Sequence, residues 1–168
     1  MTISMYDVSV PVFTRGLKQL SHVLDKGLAH VNANDGDPSV LVNARLAPDM
    51  LTLAGQVQRA SDASKLGAAR LGGFTAPPFA DTETTFDELQ ARIAKTIDYL
   101  DSVERSAIDG REDSPVKIKA GSREIDFTAQ NYLLQFALPN FFFHVTTAYA
   151  LLRQHGVPVG KLDYLGKD

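Results

Sequence analysis

Residues 136–166 read FALPNFFFHVTTAYALLRQHGVPVGKLDYLG, and this stretch decides the fold. Leading into it and through it, apolar side chains fall at Tyr132, Leu133, Leu134, Phe136, Leu138, Phe141, Phe142, Phe143, Val145, Ala148, Tyr149, Leu151 and Leu152. No single helical stripe holds them all. A helix that is apolar on nearly every side is buried by neighbours on several sides. The other elements are therefore expected to pack against this fourth helix, which runs from about Thr128 to His155. Gly156 supplies its stop and Pro158 lies just beyond. One histidine, His144, stands in the middle of the run.

Directly upstream, residues 115–127 (PVKIKAGSREIDF) change the period from 3.6 to 2. Gly121-Ser122 suits a two-residue type II′ hairpin turn. Pairing outward from it sets Lys119 opposite Glu124, Ile118 opposite Ile125, Lys117 opposite Asp126 and Val116 opposite Phe127. Charges of opposite sign meet on one face and apolar residues on the other. A lone hairpin is marginal, so Val116, Ile118, Ile125 and Phe127 are expected to face the helices.

Further back, Thr85-Phe86-Asp87-Glu88 is a capping box that starts a third helix. Phe86, Leu89, Ile93, Ile97, Leu100 and Val103 mark its buried face, and it is expected to end near Ala107. Residues 74–85, with Pro77 and Pro78, form the loop before it. A second helix is expected from near Pro48 to about Leu71, stopped by Gly72 and Gly73. Its inner face runs Met50, Leu53, Val57, Ala60, Ser64, Gly67 or Ala68, and Leu71. The side chains shrink along it, so the ring of Phe142 or Phe143 is expected to lie on the small end. Residues 36–47 connect to the first helix and lie along the bundle. In that first helix Ile3, Tyr6, Val10, Phe13, Leu17, Leu20, Leu24 and Val31 form a long seam with Gly27 in the missing place. The helix is expected from about Ser4 to Ala33; because Pro11 belongs in a first turn, it begins near Ser9 or bends there. The pattern is all-α with one small hairpin, in a single domain over residues 1–168.

Composition narrows the partners. The chain has 168 residues, 44% hydrophobic and 22% charged, with net charge -3. There is no basic footprint for nucleic acid. No cysteine is present, which removes disulfides, thiolate nucleophiles and cysteine-held zinc. The N-terminus lacks a signal-peptide pattern, and the apolar run is broken by Pro139, Asn140 and His144. A cytoplasmic location without membrane contact is expected. The partners considered are an unidentified small molecule and a second copy in a homodimer.

Two segments carry a resemblance. NFFFHVTTAYALLRQHGVPVGKLDYLG, from Asn140, resembles the C-terminal signature of an uncharacterised branch of the DinB/YfiT-like metalloenzyme superfamily. RLAPDMLTLAGQVQRASDASK, from Arg45 to Lys65, is similar to that branch's second-helix segment. The resemblance implies an up-down-down-up four-helix bundle. Better known members include metal-dependent thiol transferases, whose metal site implies one histidine on the second helix and two spaced i, i+4 on the fourth. Here His144 matches one position, but i+4 is Ala148 and i-4 is Asn140. The second helix has no histidine; its polar candidates are Gln56, Gln58 and Asp62.

The candidate residues each have two readings. His144 shares a helix face with Asn140 and Thr147. It is a cleft residue, a metal ligand or a histidine satisfied within the core. Asp62 is the one carboxylate inside the second helix. It faces the same cleft, giving an acid–base pair or a two-ligand site with His144, or it pairs with Lys65. Tyr149 and Arg153, spaced i, i+4, line the bundle's end and bind an anion, or Arg153 pairs with Asp163 and pins the tail. In that tail Leu162, Tyr164 and Leu165 offer apolar anchors. His22, His30 and His155 read as surface residues. Two function classes follow. One is a degenerate bundle that binds a small ligand or serves as an accessory or stress protein, with no cofactor. The other is a metal-dependent thiol transferase or hydrolase holding zinc, nickel or iron around His144.

Overall fold

A computed structural model describes residues 3–121 and 123–166. The elements are α1 (Val10–Ala33), α2 (Pro38–Val42), α3 (Leu53–Gly72), α4 (Phe86–Asp101), β1 (Pro115–Ala120), β2 (Arg123–Thr128), α5 (Ala129–Tyr132), α6 (Leu138–Gln154) and α7 (Lys161–Leu165). The first helix of the sequence pattern is α1, the second α3 and the third α4. The fourth is α5, a π turn and α6 in succession.

Named contacts fix the bundle. Gly16 of α1 abuts Phe141 of α6, and Gly27 abuts Leu152, so α1 and α6 run parallel. Gln56 of α3 meets His144 while Gly67 meets Ala137, so α3 and α6 are antiparallel. Gln90 reaches Ser21 and Asp25, and Phe86 approaches Gly27, so α4 opposes α1. Up-down-down-up is the result. Because α3 and α4 both run down, residues 73–85 must travel back the length of the bundle. That requirement explains a long loop between two helices.

Local chemistry explains most boundaries. Pro11 sits in the first turn of α1, where its missing N–H costs nothing. The capping box of α4 is complete: Thr85 Oγ1 accepts from Glu88 N at 3.2 Å and the Glu88 carboxylate accepts from Thr85 N at 3.0 Å. Gly73 ends α3 with φ +70°, a left-handed cap. The hairpin pairs in the register read from its charges and apolar residues. Gly121 has φ +63°; Ser122, the other half of the expected turn, lies outside the described residues.

Several expectations need correction. α3 begins at Leu53, not Pro48, because Thr52 caps Gly55 N at 3.1 Å while the preceding residues turn. The third helix ends at Asp101, and Arg105–Ala107 is a separate 3-10 turn. The fourth helix is interrupted by a π turn over Leu133–Ala137. Pro139 follows, and a proline has no N–H for the preceding turn, so the ladder shifts there. That helix is also not surrounded. Phe143 is 55% exposed and Leu134 51%. The ring beside Gly67 is Phe13 of α1, 3.0 Å from where a Cβ would sit, not Phe142 or Phe143. Ile125 is exposed, while Val116 and Ile118 are buried and Phe127 half-buried. The far strand of the hairpin thus reaches past the edge of the bundle. One core joins all these elements, with Phe13, Tyr132 and Phe141 its largest fully buried rings. Burial raises the Tyr132 phenol pKa, and Arg70 donates to its oxygen at 3.0 Å. Among the described residues no helix is long and apolar enough to cross a membrane.

Candidate functional site

Helix α3 presents polar groups on two faces. On the face toward α6, Gln56 is buried. Its Nε2 donates to the Leu51 carbonyl at 3.3 Å, and its Oε1 lies 2.8 Å from His144 Nδ1. A carbonyl only accepts, so the amide nitrogen belongs at Leu51 and the amide oxygen at the imidazole. Nδ1 therefore carries the ring proton and donates it to Gln56. Nε2 is left with its lone pair. Among the described residues no group hydrogen-bonds to Nε2. Half-burial, with the positive charge of Arg59 second, pushes the His144 pKa down to about 4. The ring is neutral at pH 7. Phe143 stands edge-on to it at 5.2 Å between centroids, and Leu51 beside Gln56 is also exposed.

The other face of α3 meets α4 and the crossover loop. Arg92 is buried and has five acceptors. Its Nε donates to Ser61 Oγ at 3.1 Å, and its terminal nitrogens reach Asp62 at 3.1 Å, Glu83 at 3.0 Å, Asp81 at 3.0 Å and the Ala80 carbonyl at 2.9 Å. Lys65, also buried, pairs with Asp62 at 3.2 Å and lies 3.9 Å from the Phe79 ring centroid. Arg59 pairs with Asp81 and with Asp62. Gln58 donates to Glu83 at 3.0 Å. This network straps residues 79–83 across the helices.

Asp62 and His144 are therefore held by different partners. Gln56 and Asp62 are six residues apart, about a third of a turn round the helix. Arg59 links the two regions, since its charge acts on His144 while it pairs with Asp62. Thr147 is buried and donates to the Phe143 carbonyl at 2.7 Å, so its hydroxyl is spent within its own helix. Asn140 is half-buried with no hydrogen-bond partner among the described residues. Tyr149 stacks edge-on against Tyr164 at 5.8 Å.

Arg153 does not pair with Asp163. It donates to the Val159 carbonyl at 3.3 Å. Asp163 instead accepts from Lys26 at 2.9 Å and Gly160 N at 2.7 Å, and lies 3.2 Å from His22 Nε2. Lys26, then the Gly160 N–H, hold its carboxyl far below the usual carboxylate range. Tyr164 meets Thr146 at 2.9 Å, and Arg15 donates to the Leu165 carbonyl at 2.8 Å. Leu162 and Leu165, expected as anchors, are exposed. Polar contacts fix this tail, because the α1 surface it crosses offers charged side chains. His22 is exposed, as a surface residue is expected to be, and takes part in the clasp. His155 Nδ1 lies 2.9 Å from the Leu151 carbonyl, and His30 meets Asn34.

The metal arrangement implied by the resemblance does not fit these residues. The side chain that α3 offers to His144 is an amide whose oxygen is already used. The position one turn on is Ala148, fully buried. One imidazole nitrogen does not make a transition-metal site. Among the described residues no three His, Asp or Glu side chains gather in a way that could hold a metal ion.

Arg92, Arg59, Asp81 and Glu83 escaped the sequence reading. Arg92 had a signal: it lies three residues after Leu89 and four before Thr96, on the buried stripe of α4. Asp81 and Glu83 had none, since a loop's path is not periodic.

Four helices in this order, with the late hairpin, form a DinB-like bundle. A crystal structure described as a DinB family member protein from Shewanella denitrificans superposes with a TM-score of 0.88 at 39% identity, covering 98% of this chain and 93% of that one. Residues 5–165 match the family described as Domain of unknown function (DUF1993), and the chain belongs to that family. Comparison with curated proteins gives no match.

Proposed function

We propose that this chain is a small-ligand-binding bundle that works without a resident metal, with His144 as its recognition group. The observation that carries the reading is the 2.8 Å contact of Gln56 Oε1 with His144 Nδ1, from which the place of the ring proton follows. Gln56 holds it on Nδ1, so Nε2 is a fixed acceptor, neutral at pH 7. Exposed Phe143 and Leu51 flank the pair with apolar surface. The complementary ligand is an apolar molecule with one O–H or N–H donor. Phenol fits this description, and anisole is its counterpart without the donor. Nitrogen-detected NMR of His144 tests it: phenol shifts Nε2, anisole does not, and His144→Ala abolishes the response. Equal responses to both compounds would show that Nε2 recognises nothing.

A second reading keeps the metal-dependent enzyme, of thiol transferase or hydrolase type, with zinc, nickel or iron on His144 and Asp62. One feature favours it. A neutral imidazole with Nδ1–H anchored is the state in which histidines ligate metals. Metal analysis of protein purified without an affinity tag decides between the two. Near-stoichiometric metal would replace the first reading with the second.

A further inference from the structure

The tail closes a hollow on the opposite side of α6 from Gln56. It lies between α1, α6 and α7, with a volume of about 540 Å³. Val12 and Gly16 of α1 form one wall, Phe142 and Val145 of α6 another, and Tyr164 the third. That volume lies within the range of small-molecule sites, roughly 300–1,000 Å³. The walls are apolar. Gly16 lies so close to Phe141 that a Cβ there would collide with the ring.

Two polar side chains stand at the rim. Arg15 is committed to the Leu165 carbonyl. Gln19 is different. Its half-buried amide packs against Gly166 so closely that a Cβ there would collide with it, and Gly166 also has φ +80°. Packing fixes the amide's place, yet among the described residues it has no hydrogen-bond partner. An amide offers one acceptor and two donor hydrogens. Its complement is an uncharged group that also donates and accepts.

We propose that this hollow is a second binding site, for a flat, mostly apolar, uncharged molecule carrying one amide-like group that pairs with Gln19. It is independent of the His144 reading. The tail is its third wall, held to α1 by Asp163, Lys26 and His22 and to α6 by the Tyr164–Thr146 bond.

The probe is 2-naphthamide, titrated into the full-length protein and followed by two-dimensional NMR, with 2-naphthoate as the charged counterpart. Shifts are expected at Val12, the Gln19 side-chain NH2, Val145 and Tyr164, with naphthoate binding more weakly. Val12→Trp, at a half-buried position, fills the hollow and should weaken binding by roughly tenfold or more, equivalent to about 1.4 kcal/mol. Gln19→Leu should erase the preference for the amide over the carboxylate. The idea is overturned if the shifts fall elsewhere, if Val12→Trp binds equally well, or if naphthoate binds as tightly as naphthamide. It is also overturned if the same residues shift with protein concentration alone, because a second copy of the chain would then be the occupant.

Discussion

The two polar faces of α3 differ in one respect that separates structure from site. On the α4 face every charge has partners: Arg92 serves three carboxylates, and Asp62 receives Arg92, Lys65 and Arg59. On the α6 face a single imidazole has one nitrogen engaged and one open. A saturated network around a buried arginine fixes geometry. An open lone pair held in place by its neighbour is available for recognition. Charge density alone points to the α4 face.

Removing the hub of the saturated face should give the largest effect. Arg92→Met leaves Asp62 and Glu83 short of a buried cation, and breaking such a pair costs about 3–5 kcal/mol. Urea unfolding should show the midpoint falling by a corresponding amount. A change below about 1 kcal/mol would mean that Arg59, Lys65 and solvent make up for the lost cation.

The open face should respond less. His144→Ala removes the donor to a buried Gln56 oxygen, so the cost is that of one unsatisfied polar group, roughly 1–3 kcal/mol. Gln56→Leu should cost a similar amount and also free the ring to choose its tautomer. Nitrogen NMR of the Gln56→Leu protein should then show both tautomers. A single unchanged tautomer would refute the role given to Gln56.

Acid should sharpen the contrast. An unfolded histidine titrates near 6.5, whereas His144 in the fold titrates at about 4. Between those values the unfolded chain binds a proton that the folded chain refuses, so stability falls as pH drops through this window. Above about pH 6.5 the contribution is complete. The unfolding midpoint of the native chain should decline from pH 6.5 to 4, and the decline should be shallower in His144→Ala. Parallel curves would place the sensitivity elsewhere.

Much of this was legible in the sequence wherever the signal is local and periodic. The hairpin register followed from opposite charges and paired apolar residues, and the start of α4 from Thr85 and Glu88. Gly73 marked the end of α3. What periodicity misses is which neighbour fills a gap. Small residues on α3 called for a large ring, but helix order in space decided that it was Phe13. The continuous apolar run at 132–152 hid the π turn, because composition does not register a shift of one residue in the ladder. At the site, His144 and Gln56 were both visible as polar exceptions, and only the fold could join them across the helix interface. Asp62 offered only its helix neighbours Arg59 and Lys65 as partners in the sequence, because Arg92, the cation it shares with the loop acids, lies far away along the chain.

The smallest expected effect is that of added zinc, and it bears directly on the open face. Nε2 of His144 is neutral and unencumbered, so a metal ion meets no proton there. What it lacks is company. Gln56 Oε1 is occupied by the Nδ1 proton, Ala148 has no donor atom, and Asp62 is pulled toward Arg92 and Lys65. Recruiting Asp62 would strip a carboxylate from two buried cations, which costs about as much as breaking that pair outright. Single-imidazole binding is weak, so zinc near the protein concentration should leave the unfolding midpoint unmoved. A real site would behave otherwise, since ligand at a hundred times its Kd adds about 2.7 kcal/mol of stability. The Arg92→Met protein makes the test stricter, because there Asp62 is partly released. If zinc stabilises that variant but not the native chain, the cations of the saturated face are what keep the open face free of metal. If zinc stabilises both, and His144→Ala removes the effect, the metal-dependent reading takes the place of the metal-free one.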